Sequence, residues 1–502
     1  MHQRNKDKGR ATAYDHIIKY TGLFGGVQGI GLLASVVRNK LVAVILGPSG
    51  LGLISLYNTA LTLLGNATNL GISFSAVRHI SELSERGDDR QMMHYIMVVR
   101  SWSMATAILG ILICALVSPF LSWSYFNDYS HWQSFVWLAP IVGLTALTGG
   151  ELAILKGMHR LKQVALQSIV VSFGTLFTSI PFYFAWGEDG IVPALLLTAL
   201  LTLCSVLWFS FRDYPFRFRL ITRRLFAQGM GMVRLGMAFT LAGVLGSGVE
   251  FIIRVFMQQF GSTADVGLYN AGYTLTVTYA SMIFVAMETD YFPRLSAVNH
   301  DVSRSNEIVN RQMEVSVLLI TPLLVVFLIG LPVILPLLYA QSFMPVIEMA
   351  QWAVFSMFLR AATLPVAYMS LAKGCSKIYL FTEAVYDVVA VLLIVCGYMF
   401  VGLKGTGMAL SFAALIDLLL VWLTCRKMYG FHIDSRAIRM LFIQLPFVVI
   451  AFCVARSLNG MAYWLSGCFV VLLSWAVSLH ILYKETTLIQ KIKERFNRKN
   501  KA

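Results

Sequence analysis

A chain of 502 residues that is 57% hydrophobic and only 13% charged, with a mean hydropathy of +0.71, holds about half the charge of a soluble domain, which carries about 25%. Composition therefore excludes a soluble globular protein and indicates an integral membrane protein. Its 40 Lys and Arg against 25 Asp and Glu leave a net charge of +15. These cations are spread over eight segments rather than gathered on one folded surface, so no nucleic acid is expected as a partner.

The basic start, MHQRNKDKGR, precedes an apolar run too long for a signal peptide and without a small-residue cleavage site, so an uncleaved first span is expected. A helix crosses the bilayer with about 20 apolar residues. By that rule about 14 transmembrane helices are expected, at 17–46, 51–80, 94–118, 133–155, 163–186, 190–211, 228–258, 267–290, 312–338, 347–371, 378–400, 405–425, 439–456 and 461–483. In lipid every backbone polar group must be satisfied within the chain, so the fold class is all-α. The odd-numbered loops hold Lys404 and, at the edge of the last, Arg456, whereas the termini and even-numbered loops hold about thirty cations. That bias places both termini in the cytoplasm and the basic loops on anionic membrane lipids.

The first two spans contain KLVAVILGPSGLGLISLYN (40–58), which has an echo about 214 residues later, RVFMQQFGSTADVGLYN (254–270). In each copy a cation in an apolar run is followed seven residues on by glycine (Gly47, Gly261), then Gly-Leu (Gly52-Leu53, Gly267-Leu268), then Tyr-Asn (Tyr57-Asn58, Tyr269-Asn270). Two further segments agree. Lys156-Gly157 matches Lys373-Gly374, and Gly190 in DGIVPA matches Gly405 in KGTGMA, again about 215 residues apart. The offset pairs span 1 with 7, 2 with 8 and 4 with 10, giving two pseudo-symmetric six-helix lobes of parallel topology plus two C-terminal helices. The expected division is an N-lobe at 1–212, a cytoplasmic amphipathic linker at 213–227, a C-lobe at 228–430, and spans 13 and 14 with a basic tail at 431–502. Within the linker, DYPFRFRLITRRLF interleaves aromatics with arginines, and the tail KETTLIQKIKERFNRKNKA carries Leu488, Ile489, Ile492 and Phe496 on one face. Both read as membrane-surface segments.

No enzymatic constellation stands out. P-loop, HExxH and nucleophile-elbow motifs are missing from the sequence, and the glycines at 22, 25, 26, 29 and 31 lie inside a span, where Gly25-xxx-Gly29 suits close helix packing. The seven cysteines, mostly within apolar runs, show neither metal-ligand nor CxxC spacing and are expected as small buried hydrophobes. No metal or other cofactor is expected, and transport would be driven by an ion gradient, the membrane potential or the substrate gradient.

Charges inside spans are expensive and face a protein interior or a watery cavity. Arg38 and Lys40 lie roughly 10 Å below the outer end of span 1, at about 1.5 Å per residue. Two apart, they point in different directions, and the repeat selects Lys40 because it aligns with Arg254. Arg360 lies mid-span in span 10. Together Lys40, Arg254 and Arg360 suit an anion such as a diphosphate. Each has a plainer alternative: Lys40 snorkels outward, Arg254 is neutralised by Glu250 one turn away, and Arg360 pairs with an acid of another span. Arg78, Arg100 and Arg234 lie near cytoplasmic ends and are expected at the interface, and Glu288 and Asp290 are set aside for the same reason. Glu383 and Asp387 in span 11 and Asp417 in span 12 are candidates either for ion coupling or for counter-charge to Arg360. Span 2 carries a polar stripe of Asn58, Thr62, Asn66, Asn69 and Ser73; span 8 carries Asn270, Thr274, Thr278 and Ser281. Such stripes either pack helices together or line a lumen suited to sugar hydroxyls.

The segment NKLVAVILGPSGLGLISLYNT, the LKG after span 4 and the duplicated halves together resemble the Wzx-type O-antigen and polysaccharide flippases. These belong to the multidrug/oligosaccharidyl-lipid/polysaccharide exporter superfamily, and the resemblance covers spans 1 to 12. It implies a bacterial inner-membrane protein, not an enzyme, that moves an undecaprenyl-diphosphate-linked oligosaccharide by alternating access. A polysaccharide polymerase is a further partner it implies. Lys40 and Arg254 match basic positions of that family's first and seventh helices. In this picture a cleft between the lobes admits the diphosphate to Lys40, Arg254 and Arg360 and the sugars to the Asn and Thr stripes. Two rivals share the superfamily: a lipid II flippase, and a cation-coupled drug antiporter, which would want acids where span 1 has cations.

Overall fold

A computed structural model describes residues 2–86, 88–214 and 223–485, with side chains described from residue 31 except at 32, 87, 89, 215–228, 235, 238, 285, 286, 288–290 and beyond 483. Most of the expected linker at 213–227 and the basic tail at 484–502, the neighbours of Gly25 and Gly29, and the Glu288 and Asp290 side chains lie outside the described residues.

The helices are α1 (His2–Thr68), α2 (Ile72–Arg86), α3 (Asp89–Phe126), α4 (Trp132–Gly157), α5 (Leu161–Trp186), α6 (Ile191–Asp213), α7 (Arg223–Phe260), α8 (Thr263–Tyr273), α9 (Tyr279–Ala297), α10 (Val302–Leu338), α11 (Val346–Ala372), α12 (Ser376–Val401), α13 (Leu403–Tyr429), α14 (Ser435–Ser457) and α15 (Gly460–Glu485). Among the described residues 11 stretches are long and apolar enough to cross a membrane. Two of them, Leu33–Thr68 and Leu161–Asp213, each contain two helices. With the α8–α9 pair these make the expected fourteen crossings, in an all-α fold.

The first two spans are joined without a loop. Helix α1 runs through both and bends at Gly47, whose φ of 65° and ψ of −166° fall in a region that essentially only glycine enters. Pro48 then restarts the helix, at a position where its missing N–H costs nothing. The second copy solves the same turn differently. Ser262 Oγ accepts from the Asp265 amide at 3.2 Å and donates to the Asp265 carboxylate at 2.7 Å, a reciprocal cap that starts α8. A π-helical segment at 274–278 then separates α8 from α9.

The helices form two compact units. The first comprises residues 1–267 with 338–340, and the second 268–337 with 341–502. In the first unit α1 packs on α5 and α7, α2 on α3, α4 and α7, α3 on α4, and α6 on α4 and α5. Its core joins Ile72 and Ile80 of α2 to Ile96, Val99 and Trp102 of α3 and Ile154 of α4. In the second unit α13 packs on α11 and α12, repeating the α6 contacts with α4 and α5. Its core joins Tyr291 and Leu295 of α9 to Val309 and Met313 of α10 and Val366 of α11, the repeat partners of α2, α3 and α4. By sequence α7 is the partner of the first span; by packing it groups with the first unit. The two helices outside the repeat dock on the second unit, where Ala437 of α14 joins the core and Tyr463 Oη of α15 donates to the Ile329 carbonyl at 2.6 Å.

The outer faces carry large apolar side chains such as Leu116, Phe177, Phe184, Trp208 and Phe400, as lipid contact requires. Four cysteines share those faces. Cys114 and Cys425 are buried as expected, but Cys204, Cys396, Cys453 and Cys468 are exposed, because an apolar span buries only one side of itself in protein.

The duplicated glycines meet inside the first unit. A Cβ on Gly52 would fall 1.9 Å from the Thr263 carbonyl oxygen, and one on Gly267 would fall 1.9 Å from the Pro48 carbonyl oxygen. Alanine in place of either glycine gains about 1 kcal/mol of helix propensity but forces backbone apart, an overpacking cost of about 1–3 kcal/mol. We expect Gly52→Ala and Gly267→Ala each to lower the melting temperature of the detergent-purified protein, whereas Gly65→Ala, with nothing within 4 Å of its Cβ, raises it or leaves it unchanged.

Candidate functional site

In the first unit the second half of α1 and α7 share a polar seam. Gly243, Ser247, Glu250 and Arg254 on α7 recur at three- and four-residue steps, and Ser55 and Asn66 on α1 lie about three turns apart, so each set lies on one helix face. Arg254, 6% exposed, donates through Nε to Ser55 Oγ at 2.8 Å and through Nη1 to the Glu250 carboxylate at 3.2 Å. Glu250 is itself half-exposed at 49%. Asn66 donates to the Gly243 carbonyl at 3.1 Å and to Ser247 Oγ at 3.3 Å. Lys40, half-buried, turns its ammonium to the Tyr339 carbonyl. The repeat pairs Lys40 with Arg254, yet their partners differ.

The polar stripes divide by role. Asn66 packs on α7, and Asn69 bonds Ser73 at 3.1 Å across the α1–α2 break, whereas Asn58 and Thr62 are exposed. Thr62 returns its hydroxyl to the Asn58 carbonyl at 2.7 Å. In the second copy Asn270 and Thr274 are half-buried and Thr278 is exposed. Thr274 to Thr278 form the π segment, whose wider turn breaks the four-residue spacing that would carry one face from Asn270 to Ser281.

In the second unit Arg360 of α11, Glu383 of α12 and Asp417 of α13 line one cavity of about 40 Å³, room for a few waters and too small for a sugar. Tyr273 and Tyr386 line it too. Neither tyrosine stands out in the sequence, although Tyr386 lies three residues past Glu383 and so on its face. Asp387, expected beside Glu383, is half-buried and is not among the lining residues.

A second charged cluster corrects a sequence expectation. Arg100, placed at the interface by its position near a span end, is buried in α3 with Glu151 of α4, their side chains 5% and 7% exposed. Arg100 Nε donates to Glu151 Oε1 at 2.7 Å and Nη2 to Oε2 at 3.1 Å, a bidentate pair. Nη2 also reaches the Tyr214 carbonyl at 3.1 Å, the Phe211 ring lies 4.9 Å from the guanidinium carbon, and Ser210 bonds the Glu151 carboxylate. The pair ties α3 and α4 to the end of α6. The lone acid inside the fourth span is the sequence signal that points to it. Arg78 and Arg234, by contrast, are exposed as expected.

Residues 17–299, more than half of the chain, match the family described as polysaccharide biosynthesis protein. The chain belongs to that family. It is 22% identical over 367 residues, 71% of its length, to a protein named lipid III flippase from Escherichia coli (strain K12), covering 84% of that relative. A structure titled lipid II flippase MurJ, inward closed conformation, superposes with a TM-score of 0.70 at 12% identity, covering 92% of this chain and 99% of that one. An inward-facing multidrug resistance MATE family transporter of the MOP superfamily superposes with a TM-score of 0.65 at 14% identity, covering 80% and 94%. The fold of this family member is therefore that of the multidrug/oligosaccharidyl-lipid/polysaccharide exporters.

Within this fold the Arg100–Glu151 pair is structural in geometry, and its energetics are testable. Removing one partner of a buried pair costs about 3–5 kcal/mol, whereas replacing both with apolar residues of similar volume is often neutral. Glu151→Leu alone should sharply lower the melting temperature in detergent, and the Arg100→Met/Glu151→Leu double variant should recover most of the loss. A double variant no better than the single one would show that the ion pair is itself required.

Proposed function

We propose that this member of the polysaccharide biosynthesis protein family is a flippase, carrying an undecaprenyl-diphosphate-linked oligosaccharide, an O-antigen or related surface polysaccharide unit, across the bacterial inner membrane by alternating access. The observation that carries the reading is Arg254, a residue 6% exposed in a membrane-spanning helix. Burying that charge is costly, and its ion-pair partner Glu250 is half in the open. A planar, always-charged donor at such a place suits a diphosphate. Lys40, Arg254 and Arg360 would hold the diphosphate. Asn58, Thr62, Asn66, Asn270, Thr274 and Thr278 would meet the sugars, with Asn58 and Thr62 supported by their exposure and Asn66 already engaged in packing. Glu383, Asp387 and Asp417 would balance Arg360 or couple an ion to the cycle, and the cavity shared by Glu383, Asp417 and Arg360 supports the first role. Both termini would be cytoplasmic, by the charge bias of the loops.

A charged hydrogen bond contributes about 1.5–3 kcal/mol, and reversing the charge costs more. Arg254→Glu and Arg360→Glu should each cut surface-polysaccharide export by about tenfold or more in cells lacking their own O-unit flippase, with protein level and monodispersity in detergent unchanged. Export at the wild-type rate in either folded variant would refute the diphosphate role of that residue. Rescue of cells depleted of their lipid II flippase, rather than their O-unit flippase, would assign the peptidoglycan precursor as substrate instead.

A further inference from the structure

Each repeat has a groove where its entry helix ends and the next helix begins. In the first unit, between α2 and α3, a groove of about 470 Å³ presents His79, Arg90 and His94 above Leu83 and Val98. In the second, between α9 and α10, a groove of about 340 Å³ presents Arg294, Arg304 and Arg311 above Val298, Ile308 and Val315. The positions correspond at the repeat offset of about 215: His79 with Arg294, Leu83 with Val298, His94 with Arg311 and Val98 with Val315. The same basic-over-aliphatic groove is thus built twice, from different residues.

The helix starts beside the grooves are already capped. Asp88 Oδ1 accepts from the Gln91 amide and Asp301 Oδ1 from the Arg304 amide, each at 3.0 Å, so an anion here must be held by side chains. Two arginines of the second groove are in exposed ion pairs, Arg304 with Asp301 at 3.6 Å and Arg311 with Glu307 at 3.3 Å. Such pairs contribute about 0–1 kcal/mol and yield to a stronger anion. Arg90 opens the apolar stretch Arg90–Phe126, whose 37 residues exceed the hydrocarbon core, which leaves its groove on the headgroup side of the span. A free phosphate would find no use for the aliphatic floor.

We propose that the two grooves are headgroup sites for an anionic glycerophospholipid, one per repeat, with the basic side chains on the phosphodiester and the aliphatic floor along the upper part of a chain. The inference requires that the protein span a membrane but not that it transport any particular substrate. Near a membrane surface each cation contributes about fivefold in affinity. Native mass spectrometry of the delipidated full chain, titrated with phosphatidylglycerol or phosphatidylcholine, tests it. The wild type should retain two phosphatidylglycerols and lose both as ionic strength rises, with phosphatidylcholine retained at neither. Arg304→Gln/Arg311→Gln should weaken one site about twenty-fivefold, and Arg90→Gln the other about fivefold. Arg304→Lys/Arg311→Lys, which keeps the charge, and Arg436→Gln/Arg439→Gln at the start of α14, outside both grooves, should bind like the wild type. Equal retention of the two lipids by the wild type, or unchanged phosphatidylglycerol binding in the glutamine variants, would overturn the proposal. So would an equal loss in the α14 variant. If a glutamine variant failed to fold, lipid selectivity and salt dependence of the wild type would still decide. Export activity is not a readout here, so this proposal and the flippase reading fail separately.

Discussion

Two backbones can touch only where no side chain intervenes, and this chain uses that constraint to bring its own repeat into contact with itself. Gly52 lies against the Thr263 carbonyl and Gly267 against the Pro48 carbonyl. Residues 48 and 263, like 52 and 267, are separated by the repeat offset, so the contact is reciprocal: each copy's glycine receives the other copy's backbone. The bend at Gly47 and the Ser262 cap sit immediately before these contacts and aim the following helices into them. From there α1 and α7 run side by side, and the polar seam from Ser55–Arg254 to Asn66–Ser247 follows.

Duplication supplies a frame, and the charges show where the two copies have diverged. Arg100, Glu151 and Ser210 form a buried network in the first unit; 215 residues on, the second unit has Val315, Val366 and Cys425. Conversely, Arg360, Glu383 and Asp417 share a cavity in the second unit, where 215 residues back the first has Thr145, Ser168 and Thr202. Each unit therefore keeps the helix pairing of its partner but gathers its charge at a different place, buried in the first and half-buried to exposed in the second. The first network pins the end of α6, a bidentate pair with few donors left over. The second leaves a cavity around its arginine, an arrangement compatible with rehydration or with a change of partner.

Membership of a polysaccharide biosynthesis family and the exporter fold of the structural neighbours define the class of the molecule more firmly than its substrate. The neighbours include proteins named for a lipid II flippase and for multidrug transport. The first span carries cations and no acid, whereas the seventh pairs its Arg254 with Glu250.

What depends on short stretches is legible in the sequence. Fourteen crossings follow from apolar length, the two copies from their common spacing, and the bend at Gly47-Pro48 from the conformations those two residues permit. The cost of a charge in hydrocarbon, together with the repeat that prefers Lys40 to Arg38, makes Lys40, Arg254 and Arg360 candidates. Partnership cannot be read in the same way. Arg100 and Glu151 lie in different helices, and only their packing turns two charges near span ends into one buried pair. Asn66 and Asn58 are equivalent on the helix until α7 covers one of them, and the π segment at 274–278 breaks a stripe that regular helix would have kept on one face. Helix periodicity reports which residues share a face of one rod. Which rod that face meets is set by how all of them pack, so the sequence determined the elements and their costs, and tertiary structure alone decided the pairs.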